Sequence, residues 1–382
     1  MIDEMTIPGP GGTAGLDWLF HAFKLGGVEL RNRIVMAPMT RRRSPGGVPN
    51  EHVIDYYRRR ADGGVGLIIS EGTYIDHPAA NAHPGVPAFH GDEALHAWSR
   101  VLGAVHEAGA RMFPQLWHVG SVRRPGVEPD PTVPGCGPIS IWENGTQVVR
   151  ALTKADIAAV VESYARAAAN AERLGFDGVE VHGAHGYLLD QFFWRQTNTR
   201  HDEYGGPLAN RVRFAVETVG AIRNAVSRDF PVVFRFSQWK SSDYSAQIAA
   251  TPQELSEILL PLVGAGVDCF HVSTRRFWEP AFPGSEATLA EWTRRLSGKP
   301  VIAVGSVGLD RPHESRLFRD TANIAAEVVG VDRVLEHLQR GAFDLVAIGR
   351  ALIADPDWAK KVRSNQMSRI EPFTKANLES YF

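Results

Sequence analysis

The sequence is poor in three things, and each shortage closes off a class of protein. It has two cysteines in 382 residues, Cys136 and Cys269, too few for a disulfide framework or for an all-cysteine metal or iron–sulfur site within the chain. No run approaches the ~18–20 apolar residues of a membrane span, and the opening MIDEMTIPGPGGTAG carries acids where a secretory leader needs a basic region. Nor is there an excess of one charge: 41 Lys and Arg against 43 Asp and Glu leave a net charge of -2. The densest basic runs, Arg41-Arg42-Arg43 and Arg58-Arg59-Arg60, therefore read as a solvated face or a phosphate neighbour and not as a nucleic-acid patch. The expectation is a cytoplasmic protein in a reducing environment, acting on a small molecule, with neither nucleic acid nor membrane as partner. Monomer and homodimer both stay open.

What is present is a regular alternation. With 44% hydrophobic residues the chain has ample material for a large core. Short, nearly continuous apolar runs recur at Ile34–Met39, Gly66–Glu71, Arg111–Leu116, Gly178–Val181, Val232–Phe236, Cys269–Val272, Val301–Val304 and Leu345–Ile348. Such runs suit parallel strands buried on both faces. Helical segments separate them. Thr153-Lys154-Ala155-Asp156 opens one that closes at Leu174-Gly175, and Thr251-Pro252-Gln253-Glu254, Gly206-Pro207 and Asp92 open others. Eight strands alternating with helices predict a single-domain (β/α)8 TIM barrel over residues 19–365, between an N-terminal tail 1–18 and a C-terminal tail 366–382. Two connections, His118–Arg150 and the one through Arg275-Arg276-Phe277-Trp278-Glu279-Pro280, are long enough to be lids.

The chemically loaded residues fall at the carboxyl ends of these strands, where barrels build their sites. Ala37-Pro38-Met39-Thr40 follows the first and Glu71-Gly72 the second. Gln115 ends the third, His182, His185 and Tyr187 follow the fourth, and Arg235 lies on the fifth. Gly305-Ser306 and Gly349-Arg350 end the seventh and eighth, the usual place for a phosphate in this fold. Glycine lets the backbone approach closely, and Arg350 can form a bidentate pair with a phosphate. On these grounds alone the ligand is a phosphorylated cofactor or substrate.

Several strings then carry a resemblance. Arg31-Asn32-Arg33-Ile34-Val35-Met36-Ala37-Pro38-Met39-Thr40-Arg41, Tyr56-Tyr57-Arg58-Arg59-Arg60-Ala61, Gln115-Leu116-Trp117-His118, Gly186-Tyr187-Leu188-Leu189-Asp190-Gln191-Phe192 and Thr197-Asn198-Thr199-Arg200 with Asp202-Glu203-Tyr204-Gly205-Gly206 resemble the Old Yellow Enzyme family, in the family's order. The resemblance implies an FMN-dependent ene-reductase, with NADPH or NADH reducing the flavin and the flavin reducing an activated C=C bond. It implies that Ala37, Pro38, Met39 and Thr40 lie beside the isoalloxazine, with the Thr40 hydroxyl on O4. Gln115 would meet the pyrimidine edge, Arg235 the N1–O2 region, and Gly72, Gly305, Ser306, Gly349 and Arg350 the rest of the cofactor. His182 and His185 would donate to the substrate oxygen and Tyr187 would protonate the α-carbon. Trp117, Phe277 and Trp278 are candidates for the substrate pocket.

Some positions depart from the family pattern. Thr40 stands where one branch has a redox-sensing cysteine, and Ser121 where an arginine is common. No cysteine cluster follows the barrel, so the multidomain relatives with an iron–sulfur cluster are not expected to be the template. Two other readings compete. A metal-dependent barrel hydrolase would need His, Asp or Glu ligands on several strands, and the first strand ends in Pro38-Met39-Thr40, so no metal is expected. A flavin-binding protein without turnover would not need His182, His185 and Tyr187 together.

Overall fold

The computed structural model describes residues 15–312 and 325–381; of the expected N-terminal tail, residues 1–14 lie outside the described residues. Eight parallel strands close into a barrel. They are β1 (Ile34–Met36), β2 (Leu67–Tyr74), β3 (Arg111–Trp117), β4 (Val179–His185), β5 (Val232–Lys240), β6 (Cys269–Ser273), β7 (Val301–Val304) and β8 (Leu345–Ile348). A helix follows each in turn: α1 (Glu51–Asp62), α2 (Asp92–Glu107), α3 (Lys154–Leu174), α4 (Leu208–Ala225), α5 (Pro252–Ala265), α6 (Leu289–Ser297), α7 (Asp332–Gln339) and α8 (Trp358–Arg363). The (β/α)8 expectation holds strand by strand.

Helix ends follow the local chemistry. Thr153 accepts from the Asp156 N–H while Asp156 bonds back to the Thr153 N–H, and Thr251 caps α5 through the Glu254 N–H. Gly175 and Gly266 close α3 and α5 at φ 89° and 116°, a region glycine enters without a Cβ penalty. Strand limits shift more. β1 stops at Met36, short of Met39, whereas β2, β4 and β5 run beyond their apolar stretches to Tyr74, His185 and Lys240. β4 and β5 stay paired from Val179↔Val232 through His182↔Arg235 to His185↔Lys240, with a register shift between Phe236 and Lys240. Backbone pairing continues there although the side chains have turned polar, and a bulge re-aims them.

Strand alternation sorts side chains into two compartments. Outward residues such as Met36, Ile68, Val181 and Phe234 pack beneath the helices. Inward residues Val35, Leu67, Phe113, Val233, Ile302 and Leu345 form an apolar plug inside the barrel. Further along the strands the buried residues include Gln115, Glu180, Arg235 and His271, then His182, Ser237 and Ser273. A polar layer therefore floors the barrel mouth.

The connection after β3 folds into its own three-stranded sheet, Gly135–Gly137, Ile141–Glu143 and Thr146–Ala151. The C-terminal segment returns to the β1 loop. There the Arg41 guanidinium donates to the carbonyls of Asn377, Leu378 and Ser380 at 3.2, 3.2 and 2.8 Å, and Tyr381 stacks on Tyr56 at 4.7 Å.

Candidate functional site

The polar floor is one connected network. Gln115 Nε2 donates to Glu180 Oε1 at 2.7 Å, and His271 Nδ1 lies 2.6 Å from Glu180 Oε2. Arg235 is buried beside them, its field opposed by Glu180, with Nη2 3.4 Å from Ser273 Oγ. Glu180 supplies the anionic partner a buried arginine requires, and sequence reading did not find it. A signal existed: a lone charge between Val179 and Val181 of an apolar strand, two residues from His182. Arg235 Nε and His271 Nε2 are buried with no hydrogen-bond partner. Burial holds His271 below its ordinary pKa and lowers Arg235 as well.

Above the floor the expected trio comes together. His182 and His185 have ring centroids 5.1 Å apart, and Tyr187 lies 5.1 Å from His182. Trp117 packs edge-on against Tyr187 at 4.8 Å and stacks with His182 at 6.2 Å. The Ala184 N–H donates to His182 Nδ1 at 3.3 Å, which puts the His182 proton on Nε2. Burial first, then Arg235, push His182 well below its ordinary pKa, so it is a neutral N–H donor. His185 Nε2 lies 2.8 Å from Ser273 Oγ, and its ring packs against Trp239 at 4.5 Å. Burial raises the Tyr187 pKa, partly offset by Arg42, so its hydroxyl keeps its proton.

The turn that presents these groups is held from beneath. His185 has φ 64°, a costly conformation for a residue with a Cβ. Its N–H donates to Ser237 Oγ at 3.0 Å, and the Gly186 N–H donates to Asp190 Oδ2 at 2.6 Å. Asp190 Oδ1 in turn accepts from Lys240 Nζ at 2.6 Å, with both side chains fully buried. Trp239, Ser273, Asp190 and Lys240 were all missed in the sequence because their partners are distant in the chain.

The remaining candidates line the strands on either side. Ala37 donates its N–H to Ile348 O at 2.9 Å, and a Cβ on Gly349 would sit 3.4 Å from Met39 Sδ, so Ala37 to Met39 lies against β8. Just beyond Thr40, the Arg41 and Arg42 N–H groups donate to Glu71 Oε2 at 2.9 and 3.2 Å, and burial raises the Glu71 carboxyl to about 7. Gly72 makes room for the Trp117 indole, which a Cβ there would approach to 2.6 Å. Gly305 is crowded by Thr274 Oγ1 in the same way, at 2.6 Å, and Ser306 has φ 52°. Arg350 opens a helix of only five residues, bonds the Arg311 carbonyl and packs on Phe373; burial lowers its pKa to about 10. Phe277 and Trp278 are not brought to the trio. Phe277 packs on His337 and Phe343 at 5.4 and 5.9 Å, and Arg333 lies over Trp278 at 4.8 Å.

A second histidine cluster lies behind Trp117. Ligand atoms of His77, His118 and Cys136 fall within 4.8 Å of one another. The Gly120 N–H donates to His118 Nδ1 at 3.0 Å, leaving the proton on Nε2, which faces His77 Nδ1 at 2.9 Å. A metal would need that Nε2 lone pair, so the contact reads as a hydrogen bond.

Comparison with known proteins decides the family. A family model described as the NADH:flavin oxidoreductase / NADH oxidase family matches residues 18–368. The chain belongs to this family, the Old Yellow Enzymes. An NADH oxidase of Thermoanaerobacter brockii is 35% identical over 367 residues, 94% of this chain. The chain spans about half (53%) of that relative's length. A putative 12-oxophytodienoate reductase 4 of Oryza sativa subsp. japonica is 34% identical, with 95% of this chain and 89% of the relative aligned. Among solved structures, morphinone reductase in complex with tetrahydroNAD matches with a TM-score of 0.76 at 30% identity, covering 91% of each chain. An Old Yellow Enzyme homologue from Zymomonas mobilis gives 0.74 at 26% identity, covering 91% of this chain and 92% of the other. The family is described as one of flavin oxidoreductases working with NADH. The residues present fit a flavin: the orphaned Nε of Arg235 and the Gln115 amide face the barrel interior, and close-packed glycines stand at β7 and β8. No helix among the described residues is long and apolar enough to cross a membrane.

Proposed function

We propose that this Old Yellow Enzyme is an ene-reductase for α,β-unsaturated carbonyls or nitroalkenes. The observation that carries the reading is the convergence of His185 and Tyr187 on His182, each about 5 Å from it by ring centroid, above the polar floor that holds Arg235. FMN, when bound, would supply the hydride chemistry, with NADPH or NADH as reductant and the alkene as acceptor. The chain's own residues do the rest. His182 donates its Nε2–H, and His185 offers a second donor, to the carbonyl or nitro oxygen on which negative charge grows. Donors aimed at a developing oxyanion stabilise it more than the ground state, each by roughly 3 kcal/mol in comparable sites. Tyr187, kept protonated by burial, gives its proton to the α-carbon. Arg235, with its unpartnered Nε, would hold positive charge beside the flavin pyrimidine and so favour the reduced cofactor. Thr40, on the turn anchored by Glu71, supplies a hydroxyl at the other edge. Trp117 shapes the pocket wall, and Gly305, Ser306, Gly349 and Arg350 take the phosphate end.

An anaerobic absorbance experiment tests this. The purified protein is expected to be yellow, to bleach with NADPH or NADH, and to regain colour with cyclohexenone. Bleaching without recovery by any enone or nitroalkene would sink the ene-reductase reading. A protein that stays colourless with added FMN would sink the cofactor placement too.

A further inference from the structure

The start of the loop after β6 runs along the end of β7. The Thr274 N–H donates to Val304 O at 3.0 Å, the Phe277 N–H to Gly305 O at 3.3 Å, and Ser306 Oγ to Arg275 O at 2.9 Å. Arg275 is thereby fixed to the Gly305–Ser306 turn, the candidate phosphate cradle. Its neighbour Arg276 pairs with Glu279 at 3.0 Å on the surface. Arg275 shows a different environment: its guanidinium lies 3.7 Å over the Tyr244 ring, and Nη1 is buried with no hydrogen-bond partner. Its charge reaches Arg350 and adds to the burial that disfavours a second cation there. Asp310 acts in the opposite direction, but it sits 3.7 Å from Arg311. Two guanidiniums in each other's field, one with an unsatisfied N–H, are costly unless an anion lies within reach of both. A phosphate monoester has the charge and the acceptor oxygens to satisfy them.

We propose that Arg275 is a second arginine of the flavin phosphate cradle, sharing the 5′-phosphate of FMN with Arg350 and making the site select FMN over riboflavin. The inference rests on the FMN reading above. Tyr244 serves to hold the guanidinium in place, and Arg276 stands outside the site.

Flavin-free full-length protein is titrated with FMN and, separately, with riboflavin, following flavin fluorescence. Arg275→Gln should weaken FMN binding by about 10- to 100-fold and leave riboflavin binding unchanged. Arg275→Lys, which keeps the charge but not the planar fork, should fall between, and Arg276→Gln should change neither. If the Gln variant does not fold, the Lys variant makes the same comparison. Equal weakening of FMN and riboflavin would overturn the proposal by showing a merely structural role. Unchanged FMN binding would also overturn it, as would unchanged FMN binding with weaker NADPH binding, which would assign Arg275 to the dinucleotide. A wild-type protein that binds neither flavin would instead fail the FMN reading itself.

Discussion

Tyr187 shows how much one residue depends on its surroundings. A phenol of ordinary pKa already carries its proton at neutral pH, and burial pushes it further that way against the opposing field of Arg42. Its edge contact with Trp117 at 4.8 Å and its 5.1 Å approach to His182 fix it beside the proposed oxygen anchor. Replacing Tyr187 by Phe keeps these ring contacts and removes only the acidic proton. Stopped-flow absorbance should then show flavin reduction by NADPH nearly unchanged and reoxidation by cyclohexenone slower by roughly 10²- to 10⁴-fold. Reoxidation as fast as in the wild type would remove Tyr187 from its proposed role. This residue and its two histidines were legible in the sequence because they lie within six positions at one strand end. The carboxylate beneath them was harder to read, since Glu180 meets His271 across 91 positions. Only strand alternation, once the barrel is closed, turns Gln115, Glu180, Arg235 and His271 onto one level.

At the scale of elements, apolar runs and caps located every strand and the starts of α2 to α5, but they misjudged where the strands end. β4 and β5 extend because backbone pairing outlasts hydrophobicity, and the extension carries the candidate site residues His182 and His185. It also creates the Asp190–Lys240 pair, fully buried and separated by 50 positions, which no local pattern announces. The pair ties the end of β5 to the short helix Leu188–Phe193 and, through the Gly186 N–H, to the turn that carries Tyr187. Lys240→Met would strand a buried carboxylate. It should cost about 3–5 kcal/mol in urea unfolding, while adding Asp190→Leu should restore much of that loss. A single variant as stable as wild type would mean that the ammonium contributes little to holding the turn.

The whole molecule buries more titratable groups than its ordinary composition suggests, and this sets its response to acid. His118, His182 and His271 are all lowered from 6.5, with burial the first cause in each. Between their folded pKa values and 6.5 the unfolded chain binds more protons than the folded one, so stability rises with pH there. Their contribution is complete above about 6.5 and is lost as pH falls, each by up to about 1.4 kcal/mol per pH unit. Glu71 works in the opposite sense. Its pKa is raised from 4.5 to about 7, so between those values the folded chain holds the extra proton and acidification favours it. Asp190 is also raised, from 3.8, because burial outweighs the field of Lys240 2.6 Å away, and it works in the same sense as Glu71. His77, His90 and His337 are lowered by burial in the same way, and six imidazoles against two carboxyls predict a net loss. Urea unfolding between about pH 7.5 and 5.5 should show stability falling on the acid side, well before ordinary carboxylates titrate. Glu71→Gln removes one opposing contribution and should make the fall steeper. A stability that is flat or rising towards pH 5.5, or a Glu71→Gln protein with a shallower slope than wild type, would show that burial does not keep these imidazoles neutral.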